Sequence, residues 1–314
     1  MKPTQRPRFR LLPLFLLILI VGIPALAVSQ RTALYDWSRL RNYEAPAAIQ
    51  QLATDTTMNE SARQLFYVQH PQLNDRSNFR NNCDEFGEQT IVLGCYVPQT
   101  GIFIFDVDDP RLQGVEQVTA AHEVLHAAYE RLSASERVRV DKLTQDTYAT
   151  ITDARIKETV EGYRKRDPTV VANEMHSILG TEVKSLPKEL EDYYAKYFTN
   201  RAQIAIYAEK YEGALTERRQ KAETIQLELE GLKTEIEQLQ NTLSAQQKDL
   251  DHDRPTVKTQ AEANAFNVRV ASYNASIREL NSMINHFNAL VDEYKTISVE
   301  AQELYKALDS RPTL

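Results

Sequence analysis

Two histidines stand four residues apart around a glutamate in His122-Glu123-Val124-Leu125-His126. On an α-helix, residues i and i+4 lie one turn apart on one face, so both imidazoles can reach a single metal ion at about 2.0 to 2.1 Å. Glu123 projects beside them, where it can take a proton from a metal-activated water as general base and return it to a leaving amine. The chemistry implied is hydrolysis of a peptide bond assisted by Zn2+, the ion suited to imidazole and carboxylate ligands in this spacing. With 6 histidines in 314 residues the pentad is an uncommon coincidence. The plainer alternative is two histidines and a glutamate satisfied on a helix without metal.

The pentad lies in a run with apolar residues at helical spacing, Val115, Val118, Ala121, Leu125 and Tyr129, and small neighbours Ala120, Ala127 and Ala128 that let another element come close. An apolar hairpin and a turn at Val107-Asp108-Asp109-Pro110 precede it. In this order the sequence resembles the zincin metallopeptidases, whose active-site helix packs under a sheet with an edge strand along the cleft. The resemblance implies a third ligand downstream. The metzincin pattern fails, since its glycine position is Tyr129 and its third histidine position is Leu132. The gluzincin pattern is better matched: Asn173-Glu174 resembles the Asn-Glu pair of thermolysin-like and aminopeptidase-like families, which nominates Glu174 as the third ligand. One turn later several of those families carry an acidic residue that braces a ligand histidine; this chain has Ile178, so bracing is expected from elsewhere.

His176, Glu182, Glu158 and Glu161 stay open as other third ligands, each with a surface or capping role as the alternative. Tyr129, Tyr163, Tyr193, Tyr194 and His176 are candidates for stabilising a developing oxyanion. The resemblance also implies that an extended peptide substrate adds to an edge strand through main-chain hydrogen bonds. Ile102 to Asp106 is the strand expected to receive it, an ordinary core strand being the alternative.

The elements that must hold this site are mostly helical. Apolar periodicity and capping residues predict helices over Ala47 to Leu52, Glu60 to Val68, Val115 to Tyr129, Ala134 to Thr150, Ala154 to Arg164 and Thr169 to Leu179. Thr90 to Val97 and Gly101 to Asp106, rich in Ile, Val, Phe and Tyr around Pro98-Gln99-Thr100, predict a β-hairpin. The fold class expected is α+β: a mainly helical zincin-like domain over 29–198 with a small antiparallel sheet.

Beyond Tyr197 the composition shifts to Glu, Gln, Lys, Leu and Ala, and apolar residues fall into heptads. Ile204, Ala208, Tyr211, Leu215, Ala222, Ile225, Leu229, Leu232, Ile236, Leu239, Leu243 and Leu250 form one run, interrupted by Arg218 and Gln246, and Phe266, Val270, Tyr273, Ile277, Leu280, Ile284, Phe287, Val291, Tyr294, Ala301, Tyr305 and Leu308 a second, interrupted by Ser298. Pro255 between them must break a helix. The expectation is an antiparallel coiled-coil hairpin over 199–310, roughly 70 Å long at 1.5 Å per residue. A fold-back at Arg254-Pro255 would set Ile225 opposite Ile284 and Leu243 opposite Phe266. A parallel homodimer of one broken helix is the competing arrangement, against which Pro255 counts. Such an arm suits partner contact, self-association or a plain spacer role.

Lys2, Arg6, Arg8 and Arg10 precede an uninterrupted apolar run from Leu11 to Val28, so residues 1–28 read as a membrane anchor with the bulk of the chain outside the cytoplasm. Cleavage after Ala25-Leu26-Ala27 and secretion is the alternative. In an oxidising exterior compartment Cys83 and Cys95 could close a small loop as a disulfide; two buried free thiols are the other possibility. The formal net charge of -7 argues against a nucleic-acid partner. The expected partners are a peptide or protein substrate and the membrane. Two functional classes follow: a membrane-anchored or exported zinc peptidase, or a non-catalytic coiled-coil scaffold with a structural or degenerate zinc domain.

Overall fold

The computed structural model describes residues 30–83 and 91–311. The expected anchor, 1–28, and Thr90 at the start of the expected hairpin lie outside them. Among the described residues, no helix is long and apolar enough to cross a membrane.

The chain is mainly helical α+β. In order run α1 (Arg31–Leu40), α2 (Ala47–Asp55), α3 (Glu60–Val68), β1 (Gln72–Asn74), α4 (Arg76–Asn82), β2 (Gly94–Val97), β3 (Gly101–Phe105), a 3-10 turn at Pro110–Leu112 and α5 (Val115–Glu130). Then come α6 (Ala134–Tyr148), α7 (Ala154–Arg166), α8 (Val171–Glu182), α9 (Lys188–Tyr194), and two long helices, α10 (Arg201–Asp253) and α11 (Gln260–Leu308). Side-chain caps fix the starts of several. Asn59 accepts from the Ala62 N–H ahead of α3, Ser133 and Glu136 form a capping box on α6, and Asp153 accepts from the Arg155 and Ile156 N–H groups at α7.

The sheet is three-stranded and mixed, in the order β1-β3-β2. β1 pairs with β3 in parallel, Gln72 with Phe103, and β2 pairs with β3 antiparallel, Gly94 with Ile104 and Val97 with Gly101. The expected all-antiparallel sheet is therefore corrected by β1, a three-residue strand too short to carry a sequence signal. The strand expected to offer its edge to a peptide, Ile102 to Asp106, is also corrected. β3 is central, paired on both sides and buried at all five positions. Its unbroken apolar run reflects cover on both faces. The strand beside α5 with an edge that no other strand pairs with among the described residues is β2.

Side-chain alternation assigns each face of the sheet a neighbour. Cys95, Phe103 and Phe105 pack with Phe79 and Cys83 at α4. Cys83 and Cys95 are joined in a disulfide, tying the end of α4 to β2. Gly94 on the opposite face of β2 meets α5: an added Cβ there would lie 2.4 Å from Thr119 Cγ2 and 2.8 Å from Glu123 Oε1. α8 packs against α5 with comparable closeness, since a Cβ on Gly180 would meet Leu125 Cδ1 at 2.4 Å and Tyr194 Cε1 at 2.8 Å. Buried Arg201 pins the far end of α8, donating to the Val183 and Lys184 carbonyls and pairing with Glu191 at 2.6 Å.

Two compact units make up the described chain. One contains the residues up to Val107, Gly114–Glu209 and those from Ser310; the other contains Asp108–Gln113 and Lys210–Asp309. Within the second, α10 and α11 pack antiparallel. Ile225, Leu290 and Ile297 form its buried seam with Ala222, Leu229, Leu232 and Tyr294, flanked by Lys221–Glu293 at 2.8 Å and Arg218–Glu300 at 3.1 Å. The expected pairing of Ile225 with Ile284 is thus displaced by about one heptad. The cause is the turn. α10 ends at Asp253 as Pro255 requires, but the Thr259–Glu262 capping box delays α11 to Gln260, which centres the fold-back several residues beyond Arg254-Pro255.

Candidate metal centre

α5 presents His122 and His126 on one face, with ring centroids 4.7 Å apart. Ligand atoms of His122, Glu123 and His126 lie within 4.8 Å of one another, a group that could hold a metal ion. α8 brings a fourth side chain to the same place. Glu174 Oε2 is 3.6 Å from His122 Nε2, and Oε1 is 3.7 Å from His126 Nε2. These separations are too long for hydrogen bonds, but two donors each about 2.0 to 2.2 Å from a tetrahedral zinc stand roughly 3.4 Å apart. Glu174 Oε2 is buried without a hydrogen-bond partner, an arrangement that costs free energy unless something else satisfies it. The two histidines and Glu174 therefore fit a divalent ion. Their side chains keep 17%, 11% and 13% of their exposure, so the cluster borders solvent.

The bracing expected from outside the Ile178 position comes from Asn173. Its Oδ1 lies 3.0 Å from His126 Nδ1. An amide oxygen only accepts, so Nδ1 carries the proton and Nε2 offers its lone pair toward Glu174. Ser177, one turn along α8, reaches the same Nδ1 at 3.3 Å. Ile178 points away, into a cluster with Ile156 and Val160.

No family model, curated protein or solved structure matches this chain.

Burial sets the protonation of the group. The two imidazoles are too close to ionise together, and one proton goes to His122. Burial works against that proton, but the carboxylates of Glu174, Glu123 and Glu182 outweigh it and raise His122 to about 9. His126, desolvated and facing that charge, falls to about 4. Burial alone would push the Glu174 carboxyl up; the two histidines overcome it and hold the group below the ordinary carboxylate range. At Glu123 burial, with the Glu174 charge, outweighs His122 and the Tyr96 N–H and lifts the carboxyl to about 7.

Glu123 points at the outer edge of β2. Phe105 N–H donates to Leu93 O, so by antiparallel alternation Cys95 and Val97 turn their polar groups to β3, while Gly94 and Tyr96 turn theirs outward. The Tyr96 N–H meets the Glu123 carboxylate.

The other candidates disperse. His176 is fully buried, with Nε2 2.8 Å from the Tyr193 hydroxyl and its carbonyl accepting from Tyr194 at 2.6 Å. Burial drops its pKa to about 3, leaving a neutral core imidazole. Glu182 pairs with Arg155 at 2.5 Å, Glu161 pairs with Arg164, and Glu158 is exposed. Tyr129 donates to Asp141 at 2.7 Å. Of the four tyrosines, Tyr163 is the one whose hydroxyl faces Glu174, its pKa raised by burial and by the charges of Glu174 and Glu123. Asn173 and Ser177 as braces, and Gly94 as the space beside Glu123, were not assigned those roles from sequence. The Asn and Ser flank Glu174 at i and i+4, a pairing that was open to be read.

Proposed function

We propose that this chain is a zinc-dependent peptidase of the gluzincin type, in which His122, His126 and Glu174 hold the ion and Glu123 is the general base. The observation that carries the reading is the Glu174 carboxylate placed between the Nε2 atoms of both histidines at 3.6 and 3.7 Å. A zinc ion bound there supplies Lewis acidity toward a carbonyl and acidifies water near neutral pH.

The rest of the chemistry belongs to the chain. Asn173 and Ser177 hold His126 in the tautomer that leaves Nε2 free. The outward-facing groups of Gly94 and the Tyr96 carbonyl on β2 receive an extended peptide as an added strand, which carries its backbone past Glu123, itself held by the Tyr96 N–H. Glu123 takes a proton from water and passes it to the departing amine nitrogen, a role suited to a carboxyl whose pKa lies near 7. Tyr163 donates toward the oxygen that gains charge as the carbonyl is attacked. The full chain, anchored by residues 1–28, works outside the cytoplasm on unfolded or extended segments of protein.

The test compares the parent with Glu123→Gln for zinc content and for cleavage of an unstructured protein substrate. The variant should hold stoichiometric zinc and lose cleavage by about 10²- to 10⁴-fold. A variant that keeps zinc and cleaves like the parent overturns the general-base assignment, and a zinc-loaded parent that cleaves nothing leaves a structural metal site.

A further inference from the structure

α1 is amphipathic in the reverse sense from a helix that docks on a core. Three of its polar side chains, Tyr35, Asp36 and Arg39, face the protein. Asp36 takes two hydrogen bonds from Arg131 at the end of α5, both 2.8 Å, and Arg39 donates to the carbonyls of Val68 and Thr100, both at 3.0 Å. Tyr35 reaches the Gln99 carbonyl in the β2–β3 turn. No residue of the helix is fully buried. Two of its apolar side chains face outward: Leu34 is 52% exposed and Trp37, with Arg41 stacked at 5.4 Å from its ring, is 62% exposed, while Leu40 is half-buried. Ala33 lies on the same face and is exposed as well.

Such a stripe opposite a face held by ion pairs is out of place in water. What covers it is indicated by the sequence just before it. The apolar run Leu11 to Val28 ends three residues ahead of Arg31, where α1 begins. A tryptophan with an adjacent arginine, immediately after a stretch long enough to span a bilayer, has the composition of the lipid–water boundary: an indole at head-group depth and a guanidinium for lipid phosphates.

We propose that α1 lies in the surface of the lipid bilayer, with Leu34 and Trp37 inserted at head-group depth and Arg31 and Arg41 turned to lipid phosphates. The polar inner face then fixes the candidate metal centre relative to the membrane, since Asp36 grips the end of α5 and Arg39 and Tyr35 grip the turn that ends β2. This rests on the reading of 1–28 as an anchor and is independent of the peptidase reading.

Trp37 is the one tryptophan in the chain, so its fluorescence reports on α1 alone. The full-length protein is reconstituted into phosphatidylcholine–phosphatidylglycerol vesicles, with lipids brominated either near the head group or near the chain end. Flotation with the vesicles tests the anchor separately. The expected result is flotation, quenching of Trp37 that is stronger with shallow than with deep bromines, and iodide quenching reduced several-fold relative to the urea-unfolded chain. Leu34→Glu, an exposed change that leaves the inner face intact, should restore iodide access several-fold while the protein still floats. A floating protein whose Trp37 is open to iodide and untouched by bromine overturns the inference and leaves the anchor standing. Shielding from both quenchers means that a second copy or another part of the chain covers the stripe, and overturns it too. Failure to float overturns anchor and inference together.

Discussion

His126 Nδ1 donates to the Asn173 side-chain oxygen at 3.0 Å, and Asn173 is the residue immediately before Glu174. Two adjacent residues of α8 thus act on one imidazole of α5, one from behind the ring and one at its free nitrogen. Removing the brace should loosen the metal without removing a ligand. Asn173→Ala is expected to weaken zinc affinity by about 10- to 100-fold, read by competition with a chromogenic chelator. Asn173→Asp, which still accepts from Nδ1, should stay near the parent. If both variants bind like the parent, the contact is incidental to the site.

Removal of the carboxylate itself should be more severe. Glu174→Ala leaves the two histidines with only Glu123, the proposed base, beside them, and the purified variant is expected to carry substoichiometric zinc in elemental analysis while remaining folded by circular dichroism. Zinc retained at one per chain would move the third ligand elsewhere.

The close approach of β2 to α5 gives a different kind of test. A methyl at position 94 would sit inside contact distance of both Thr119 and Glu123, so Gly94→Ala must push the strand from the helix or swing the Glu123 carboxylate. Overpacking of this sort costs about 1 to 3 kcal/mol, measurable as a lower urea midpoint. Cleavage should fall more than zinc content, because the atoms nearest the new methyl belong to Thr119 and Glu123 and not to His122, His126 or Glu174. Equal losses of metal and activity would mean that the strand supports the whole site and does not act through Glu123.

Proton linkage supplies a fourth. His122 in the metal-free protein is raised to about 9 and His126 lowered to about 4, while Glu174 is held as a carboxylate. At neutral pH the ion must therefore displace a proton from His122 and from no other ligand. Zinc uptake should release about one proton near pH 7, with affinity rising about tenfold per pH unit and levelling as pH passes about 9. Calorimetry in buffers of different ionisation enthalpy reads the proton count, and a count near zero would show that His122 is already neutral.

The sequence was most informative where local chemistry decides structure. Asn59 and the apolar spacing after it predicted α3 at its observed bounds, and HExxH spacing predicted two imidazoles on one helical face. Strand order was harder, because β1 pairs with residues about thirty positions away and only three of its residues take part. Even so, the unbroken apolar stretch in β3 carried the mark of a strand covered on both faces, and Gly94 in β2 the mark of a close approach. Asn173 was legible as half of an Asn-Glu pair but not as a brace, since that role exists only once α8 lies against α5. The heptads gave the helices of the hairpin and not their register. Seams offset by seven residues bury similar side chains, and the decision fell to the Thr259–Glu262 cap.

That register can be fixed chemically. Lys221 Nζ lies 2.8 Å from Glu293 Oε1, close enough for a carbodiimide to join them as an amide, whereas a fold-back at Arg254-Pro255 would put Lys221 level with Asn288, which cannot react. Treatment of dilute protein followed by peptide mapping should give an intrachain Lys221–Glu293 link, lost in Glu293→Gln. The exposed pair contributes at most about 1 kcal/mol, so that variant should fold normally and isolate the chemistry. A link that forms only between chains would instead favour two copies pairing through these helices, and its absence in both forms would return the turn to Pro255.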